Sequence, residues 1–106
     1  TEVVSIIAKV ELNAEQMRDL AFKLKGEFKS LFLVLASSKT GKALLTVMVS
    51  DDLVEKRDFH EGKIVSQLAK EIKGGGGGQA NFATAGGSEL KGIPSALEKA
   101  RAILEE

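Results

Sequence analysis

Few side chains in this chain are of the types that carry out acid-base or nucleophilic chemistry. The 106 residues include no cysteine, which excludes disulfides and thiolate zinc sites. They include one histidine, so His60 is the one candidate base for a serine triad. His60 stands between Asp58 and Glu61 with no nucleophile in view, so we interpret it as a capping or surface residue. The spacing of Asp51 and Asp52 does not match that of an EF-hand calcium loop. We predict no catalytic residue, no metal ligand and no cofactor here.

The composition predicts one globular domain. Hydrophobic residues make up 43% of the chain, enough for a buried core, and no apolar run approaches the roughly 20 residues of a membrane span. The absence of cysteine fits a reducing, cytoplasmic setting. The chain begins at Thr1 without a methionine or signal sequence, so we expect a processed chain or a piece cut from a longer protein.

The elements that must position any site are predicted from residue patterns. Residues 3–10 are rich in β-branched side chains and predict a strand. Asn13, with Gln16 three residues later, predicts the capped start of a helix that runs to about Lys25 and stops at Gly26.

Two strands and a second helix follow. Residues 30–37 are apolar on both faces and predict a central strand, and residues 42–50 predict its antiparallel hairpin partner. The charged segment 51–59 is interpreted as a loop. Apolar residues on one face predict a helix over residues 61–72.

The last third predicts a short fourth strand over residues 79–85, broken at residues 86–88, and a final helix from about Pro94. The predicted order is β-α-β-β-α-β-α. We expect an α/β fold over residues 1–106: a mixed sheet of about four strands with a β-hairpin and three packed helices.

Five of the eleven glycines are consecutive, from Gly74 to Gly78. A glycine run disfavours regular structure, because each glycine costs up to about 1 kcal/mol relative to alanine in a helix or strand. A flexible linker is one interpretation. The run follows a well-patterned helix directly, and Gly86-Gly87 lie just beyond a small-residue stretch, so we favour an ordered loop that allows close backbone approach or binds an anion. It matches neither a Walker A loop nor a dinucleotide-binding motif.

The zero net charge conceals separate zones. Residues 23–50 carry a net charge of +4 and residues 62–91 a net charge of +2, whereas residues 51–61 carry −3. A neutral total therefore does not exclude a polyanionic partner.

The segment from His60 to Gly87 resembles the C-terminal domain of alanyl-tRNA synthetases. It has that family's amphipathic helix, glycine run and small-residue strand ending in Ala-Gly-Gly, and the final helix matches in position, so the specific match covers residues 60–104. The wider superfamily is the DHH-associated domain, shared with RecJ-like phosphoesterases. That branch usually has a histidine directly after its glycines, whereas this chain has Gln79. The synthetases often have Arg, Pro, Asp and Met where this chain has Gln79 to Phe82. The missing Arg weakens the expectation of a strong phosphate contact there.

The resemblance implies a tRNA-binding accessory domain and no catalysis by the domain alone. It would contact the elbow of tRNA(Ala), work with the aminoacylation and editing domains of the same chain as part of an alanine-tRNA ligase, and contact no membrane. We also keep two alternatives: the substrate-binding part of a DHH phosphoesterase, and a dimerisation module that forms a homo-oligomer.

Our candidate RNA-binding residues surround the glycine run and the end of the first helix. Each has a structural alternative: a tight loop for the glycines, backbone hydrogen bonds for the amides, and a solvated or dipole-compensating position for the lysines. Phe28 is a possible partly exposed stacking residue, and Phe32 is expected in the core. The candidates are Lys23, Lys25, Lys29, Lys73, Gly75, Gly76, Gly77, Gly78, Gln79, Asn81 and Lys91.

Overall fold

The protein is described here by a computed structural model that covers residues 3–57, 61–79 and 82–105. Within these residues it forms a mixed sheet of five strands with four α-helices, which confirms the predicted α/β class and adds one strand and one helix to it. The strands are β1 (Val4–Lys9), β2 (Leu31–Ser37), β3 (Ala43–Val49), β4 (Gly74–Gln79) and β5 (Phe82–Gly87). The helices are α1 (Ala14–Glu27), α2 (Asp51–Arg57), α3 (Glu61–Ala69) and α4 (Ile93–Glu105), with 3₁₀ turns at Lys70–Ile72 and Leu90–Gly92.

The strand order in the sheet is β1-β2-β3-β5-β4. β1 and β2 are parallel, as a strand-helix-strand crossover through α1 allows, and every other neighbouring pair is antiparallel. The predicted β2–β3 hairpin is confirmed, with Gly41 in the left-handed region at φ 84°.

The core has two layers, one on each face of the sheet. α3 and α4 pack against one face with the buried residue Leu53 of α2, and α1 alone packs across β2 and β3 on the other. All seven residues of β2 are buried, because this strand is covered on both faces. The prediction of a central strand that is apolar on both faces is confirmed.

α1 begins as predicted and ends one residue past the predicted stop. The Gln16 N–H donates to the Asn13 side chain at 2.8 Å and the Asn13 N–H donates to the Gln16 side chain at 3.0 Å, which is the reciprocal capping box. Gly26 lies inside the helix, so its predicted role as the stop is wrong. The helix ends where Phe28 turns to extended backbone and packs its side chain into the α1 core layer.

The loop predicted over residues 51–59 is wrong for residues 51–57, which form α2. Two acidic residues in its first turn compensate the helix dipole, and Leu53, 3% exposed, anchors the helix in the core. The sequence interpretation followed the charges of this segment and overlooked the apolar residue Leu53. The rest of this segment and His60 lie outside the described residues.

Asp52 at the start of α2 clasps two strands together. Its carboxylate accepts hydrogen bonds from the hydroxyls of Ser30 and Ser50, and the Ser50 hydroxyl accepts from the Leu31 N–H at 2.9 Å. The clasp therefore joins the start of β2 to the end of β3. The bond from Ser30, followed by the bond from Ser50, holds the pKa of the Asp52 carboxyl below its ordinary value.

The glycine run is a strand, and the prediction of an ordered loop is wrong. Gly74 to Gln79 pair residue by residue with β5 in antiparallel register, from Gly74 opposite Gly87 to Gln79 opposite Phe82. The strand predicted over residues 79–85 is shifted accordingly: Gln79 ends β4, and the expected break at Gly86-Gly87 lies within β5. Pairing along the whole of β4 and packing of α3 on one face offset the poor strand propensity of glycine.

Three glycines are required by close approach of backbones. A β-carbon on Gly74 would lie 2.2 Å from the Gly86 carbonyl oxygen, and one on Gly87 would lie 2.3 Å from the Ile72 oxygen. On Gly92 it would lie 1.7 Å from the Glu71 oxygen. These contacts lock the 3₁₀ turn after α3 onto the end of the sheet.

Alanine at Gly87 or Gly92 should therefore destabilise the fold by about 1–3 kcal/mol or more, the usual cost of overpacking. Alanine at Gly75 is the matched control, because no atom lies within 4 Å of its β-carbon position, and its effect should stay below about 1 kcal/mol. Urea denaturation measures both free energies of unfolding. Equal effects at Gly75 and Gly87 would show that glycine is not needed for close packing.

The Asp52 clasp should stabilise the fold above acidic pH. A carboxyl with a lowered pKa in the folded state contributes its stability above the unfolded pKa of about 3.9 and loses it as the pH falls through the folded value. The difference in unfolding free energy between the wild type and Asp52→Ala should be constant from pH 7 to 5 and should narrow below about pH 4. Asp19→Ala, at an exposed position of α1, is the control. Equal stability of wild type and Asp52→Ala at pH 7 would contradict a stabilising clasp.

Candidate nucleic-acid interface

Exposed lysines gather at one end of the sheet. Ala43, Gly87 and Gly74 lie opposite one another on β3, β5 and β4, so Lys42 and Lys73, which precede two of them, leave the sheet at the same end. One strand separates β3 from β4, which places their backbones about 10 Å apart. This spacing brings together two lysines that are far apart in the sequence.

Further lysines join this end through the two 3₁₀ turns and the hairpin. The Glu89 N–H donates to the Ile72 carbonyl at 2.9 Å, which brings the turn containing Lys91 beside the turn containing Lys70. We call this group the basic end. Its members, all exposed, are Lys39, Lys42, Lys70, Lys73 and Lys91.

The carboxylates close to the basic end are held by neighbouring groups, and Glu11, which accepts from the Ser38 hydroxyl, is 3.7 Å from the ammonium of Lys9. Glu71 lies 3.6 Å from the ammonium of Lys99, and the Glu89 side chain accepts from the Lys91 backbone N–H at 3.2 Å. Lys73 takes a left-handed conformation, with φ 51°, where the chain turns into β4. The basic end is therefore an exposed zone in which lysines outnumber acids, as phosphate binding requires.

β4 adds backbone groups to this zone. It is the last strand in the sheet order, so only one of its edges is paired and the other leaves N–H and C=O groups without strand partners. Its first five residues, Gly74 to Gly78, carry no side chain beyond hydrogen. Backbone N–H groups can donate to phosphate oxygens, and an edge without side chains allows them a close approach.

The structure divides the predicted binding residues between two ends. Lys73 and Lys91 lie together at the basic end, where β4 begins. Gln79 ends the strand about 17 Å away, at the opposite end, which is also where α1 ends with Lys25 and leads to Lys29. Asn81 lies outside the described residues.

The predicted lysine patch at the end of α1 is not one surface. By helical periodicity, Lys23 stands on a different side of α1 from Lys25. Lys25 and Lys29 line a cavity of about 540 Å³ between α1 and α2, together with Glu27, Asp51 and Asp52. The lowered pKa of Asp52 keeps that carboxyl ionised at neutral pH. Because acids as well as lysines line this cavity, it is a poorer phosphate site than the basic end.

The structure pairs an exposed aromatic residue, Phe22, with the partly buried Phe82, and the sequence analysis did not identify this pair. Of the two phenylalanines named in the sequence analysis, Phe32 is buried as expected and Phe28 is half-buried in the core. Phe22 is 44% exposed, and its ring centroid lies 5.2 Å from that of Phe82. The guanidinium of Arg18 lies 5.7 Å from the Phe22 ring centroid. The sequence does carry a signal for the exposure of Phe22, because this residue falls outside the helical stripe that carries the core residues of α1.

Within residues 3–57, 61–79 and 82–105, no group of three or more histidine, cysteine, aspartate or glutamate side chains is arranged to hold a metal ion. Over the same residues, no helix combines the length and apolar character needed to cross a membrane.

Known proteins share both the sequence and the fold. The DHHA1 domain model matches residues 2–106. The alanine–tRNA ligase of Christiangramia forsetii is 45% identical over 97 residues, covering 92% of this chain and 11% of that protein. The alanine–tRNA ligase of Cytophaga hutchinsonii is 41% identical over 101 residues, covering 94% of this chain and 12% of that protein. The chain thus spans about a tenth of the length of these relatives.

A solved structure agrees over nearly the whole chain. The crystal structure of the C-Ala domain from Aquifex aeolicus alanyl-tRNA synthetase superposes with a TM-score of 0.82 at 28% identity, covering 98% of this chain and 91% of that one. The resemblance inferred from residues 60–104 therefore extends through β1, α1 and the β2–β3 hairpin. The chain belongs to the DHHA1 domain family and has the fold of the C-Ala domain of alanyl-tRNA synthetases.

Proposed function

We propose that this chain is the tRNA-binding accessory domain of an alanyl-tRNA synthetase. In this proposal it contacts the elbow of tRNA(Ala), helps the aminoacylation and editing domains of the same cytoplasmic protein act on one tRNA, and catalyses nothing by itself. The observation that carries the proposal is the basic end, where separate parts of the sequence bring exposed lysines beside a glycine edge strand. Lysines and backbone N–H groups are the donors that proteins use for phosphate contacts.

The rival proposals have less support. The RecJ-like phosphoesterases usually have a histidine directly after the glycines, and Gln79 stands at that position in this chain. A dimerisation module would use the open edge of β4 to pair with a second copy, since an unpaired edge strand can pair with another chain. Sedimentation with and without RNA separates homo-oligomer formation from RNA binding.

Binding of tRNA(Ala) to this chain should be modest and strongly dependent on salt. If the basic end neutralises three to four phosphates, the affinity should fall about 40- to 150-fold between 50 and 200 mM monovalent salt. Filter binding at these two concentrations measures the ratio. No detectable binding at 50 mM salt would overturn the proposed function for this chain.

The basic end should account for most of that salt dependence. The double variant Lys73→Gln, Lys91→Gln should bind tRNA(Ala) more weakly and should lower the slope of log affinity against log salt by about 1 for each lysine lost. Lys63→Gln, at an exposed position of α3, is the matched control and should leave the slope unchanged.

The other predicted patch is tested with Lys23→Gln, Lys29→Gln. A loss of slope in that variant, with Lys73→Gln, Lys91→Gln unchanged, would move the phosphate contacts to the opposite end of the sheet.

A further inference from the structure

The two faces of the sheet are covered unequally, which leaves a groove beside α1. Three helices pack over one face, whereas α1 alone covers β2 and β3 on the other. On that side β5 presents Thr84 and Gly86, both exposed, and neighbouring β4 presents Gly75. The result is a concavity of about 230 Å³. Its lining residues are Ala14, Met17, Leu44, Leu45, Thr46, Thr84, Ala85 and Gly86.

The groove lies between the basic end and the Phe22–Phe82 pair. Its floor begins at Leu44 and Gly86, one residue inside the pair Ala43 and Gly87 that marks the basic end. Four residues farther along β5, about 13 Å away, stands Phe82. The groove therefore lies between the basic end and the rings.

We propose that Phe22, supported by Phe82 and Arg18, is a stacking site for one unpaired nucleobase of the bound RNA. This inference rests on the proposed function and identifies the part of the RNA that reaches this groove. Phe22 exposes 44% of its surface, and the tilted Phe82 ring at 5.2 Å supports it. The Arg18 guanidinium, 5.7 Å from the Phe22 centroid, provides a cation that can stack on a base or pair with its phosphate.

The cation held against Phe22 is the feature that suits a nucleotide, because the Arg18 guanidinium lies 5.7 Å from the ring centroid. By helical periodicity, Arg18 and Lys25 stand on the side of α1 that faces β5, and Glu15 and Asp19 stand beside Phe22 on its solvent side.

The groove is lined mainly by apolar side chains, and Thr84 and Gly86 keep its floor low. The groove of about 230 Å³ is smaller than the roughly 300–1,000 Å³ of pockets for drug-sized ligands and lies next to the rings, with Thr84 two residues from Phe82 on the same face of β5.

A purely structural role for Phe22 is the alternative, in which its ring only shields Phe82 and the edge of the core. Leucine at this position would keep most of that apolar cover and lose the aromatic face. The effects of Phe22→Leu on RNA binding and on stability therefore separate the two roles.

The experiment uses fluorescently labelled tRNA(Ala) and a fully paired RNA hairpin closed by a non-nucleotide linker. Phe22→Leu and Phe22→Ala should each weaken tRNA(Ala) binding by about 5- to 150-fold at fixed salt, the range for one base stacked on an aromatic ring. The salt slope should not change, because no phosphate contact is lost. Binding of the paired hairpin should not change either. Val3→Ala, at another exposed apolar position, is the control.

A second readout uses the absence of tryptophan and tyrosine from the chain. The variant Phe22→Trp makes the site the single indole fluorophore, and tRNA(Ala) should quench it while the paired hairpin should not. Normal tRNA(Ala) affinity in Phe22→Leu, or indole fluorescence of Phe22→Trp that tRNA(Ala) leaves unchanged, would overturn the stacking site and leave the proposed function standing. Failure of the wild type to bind tRNA(Ala) at low salt would overturn the proposed function itself.

Discussion

The close approach of the 3₁₀ turn after α3 to the end of β5 is the contact on which the rest of this half of the molecule depends. The Ile72 carbonyl accepts from the Glu89 N–H at 2.9 Å, and a β-carbon on Gly87 or Gly92 would overlap the backbone of that turn. The contact sets where β4 begins and holds Lys73 and Lys91 at one end of the sheet. The same glycines that permit the packing thus determine the position of the charged surface.

The unequal cover of the sheet explains why the groove and the Phe22–Phe82 pair lie on the face that α1 covers. β2 and β3 are the strands covered on both faces, and beyond α1 the strands β5 and β4 carry mostly small residues that need little shielding. Glycine and threonine there leave the surface open without exposing a large apolar patch. The zero net charge is compatible with RNA binding, because Glu71 is paired with Lys99 and Glu89 accepts from backbone, while the lysines beside them remain exposed.

Local sequence signals predicted the elements that depend on local chemistry. The Asn13–Gln16 capping box, the apolar run of β2 and the hairpin turn at Gly41 are short-range features, and all three agree with the structure. The predictions failed where a contact distant in the sequence decides the outcome. The charged segment after β3 forms a helix because Leu53 packs in the core, and the glycine run forms a strand because it pairs with β5.

The sequence by itself determined the α/β class, the central hairpin and the family, because apolar periodicity, capping residues and the glycine-rich segment are readable along the chain. Only the tertiary structure decided which residues share a surface. Strand order places Lys42 beside Lys73 and separates both from Gln79, and the packing of α1 brings Phe22 to Phe82 across sixty residues of sequence. Strand order and helix packing follow from burying many side chains at once, and no single segment carries that information.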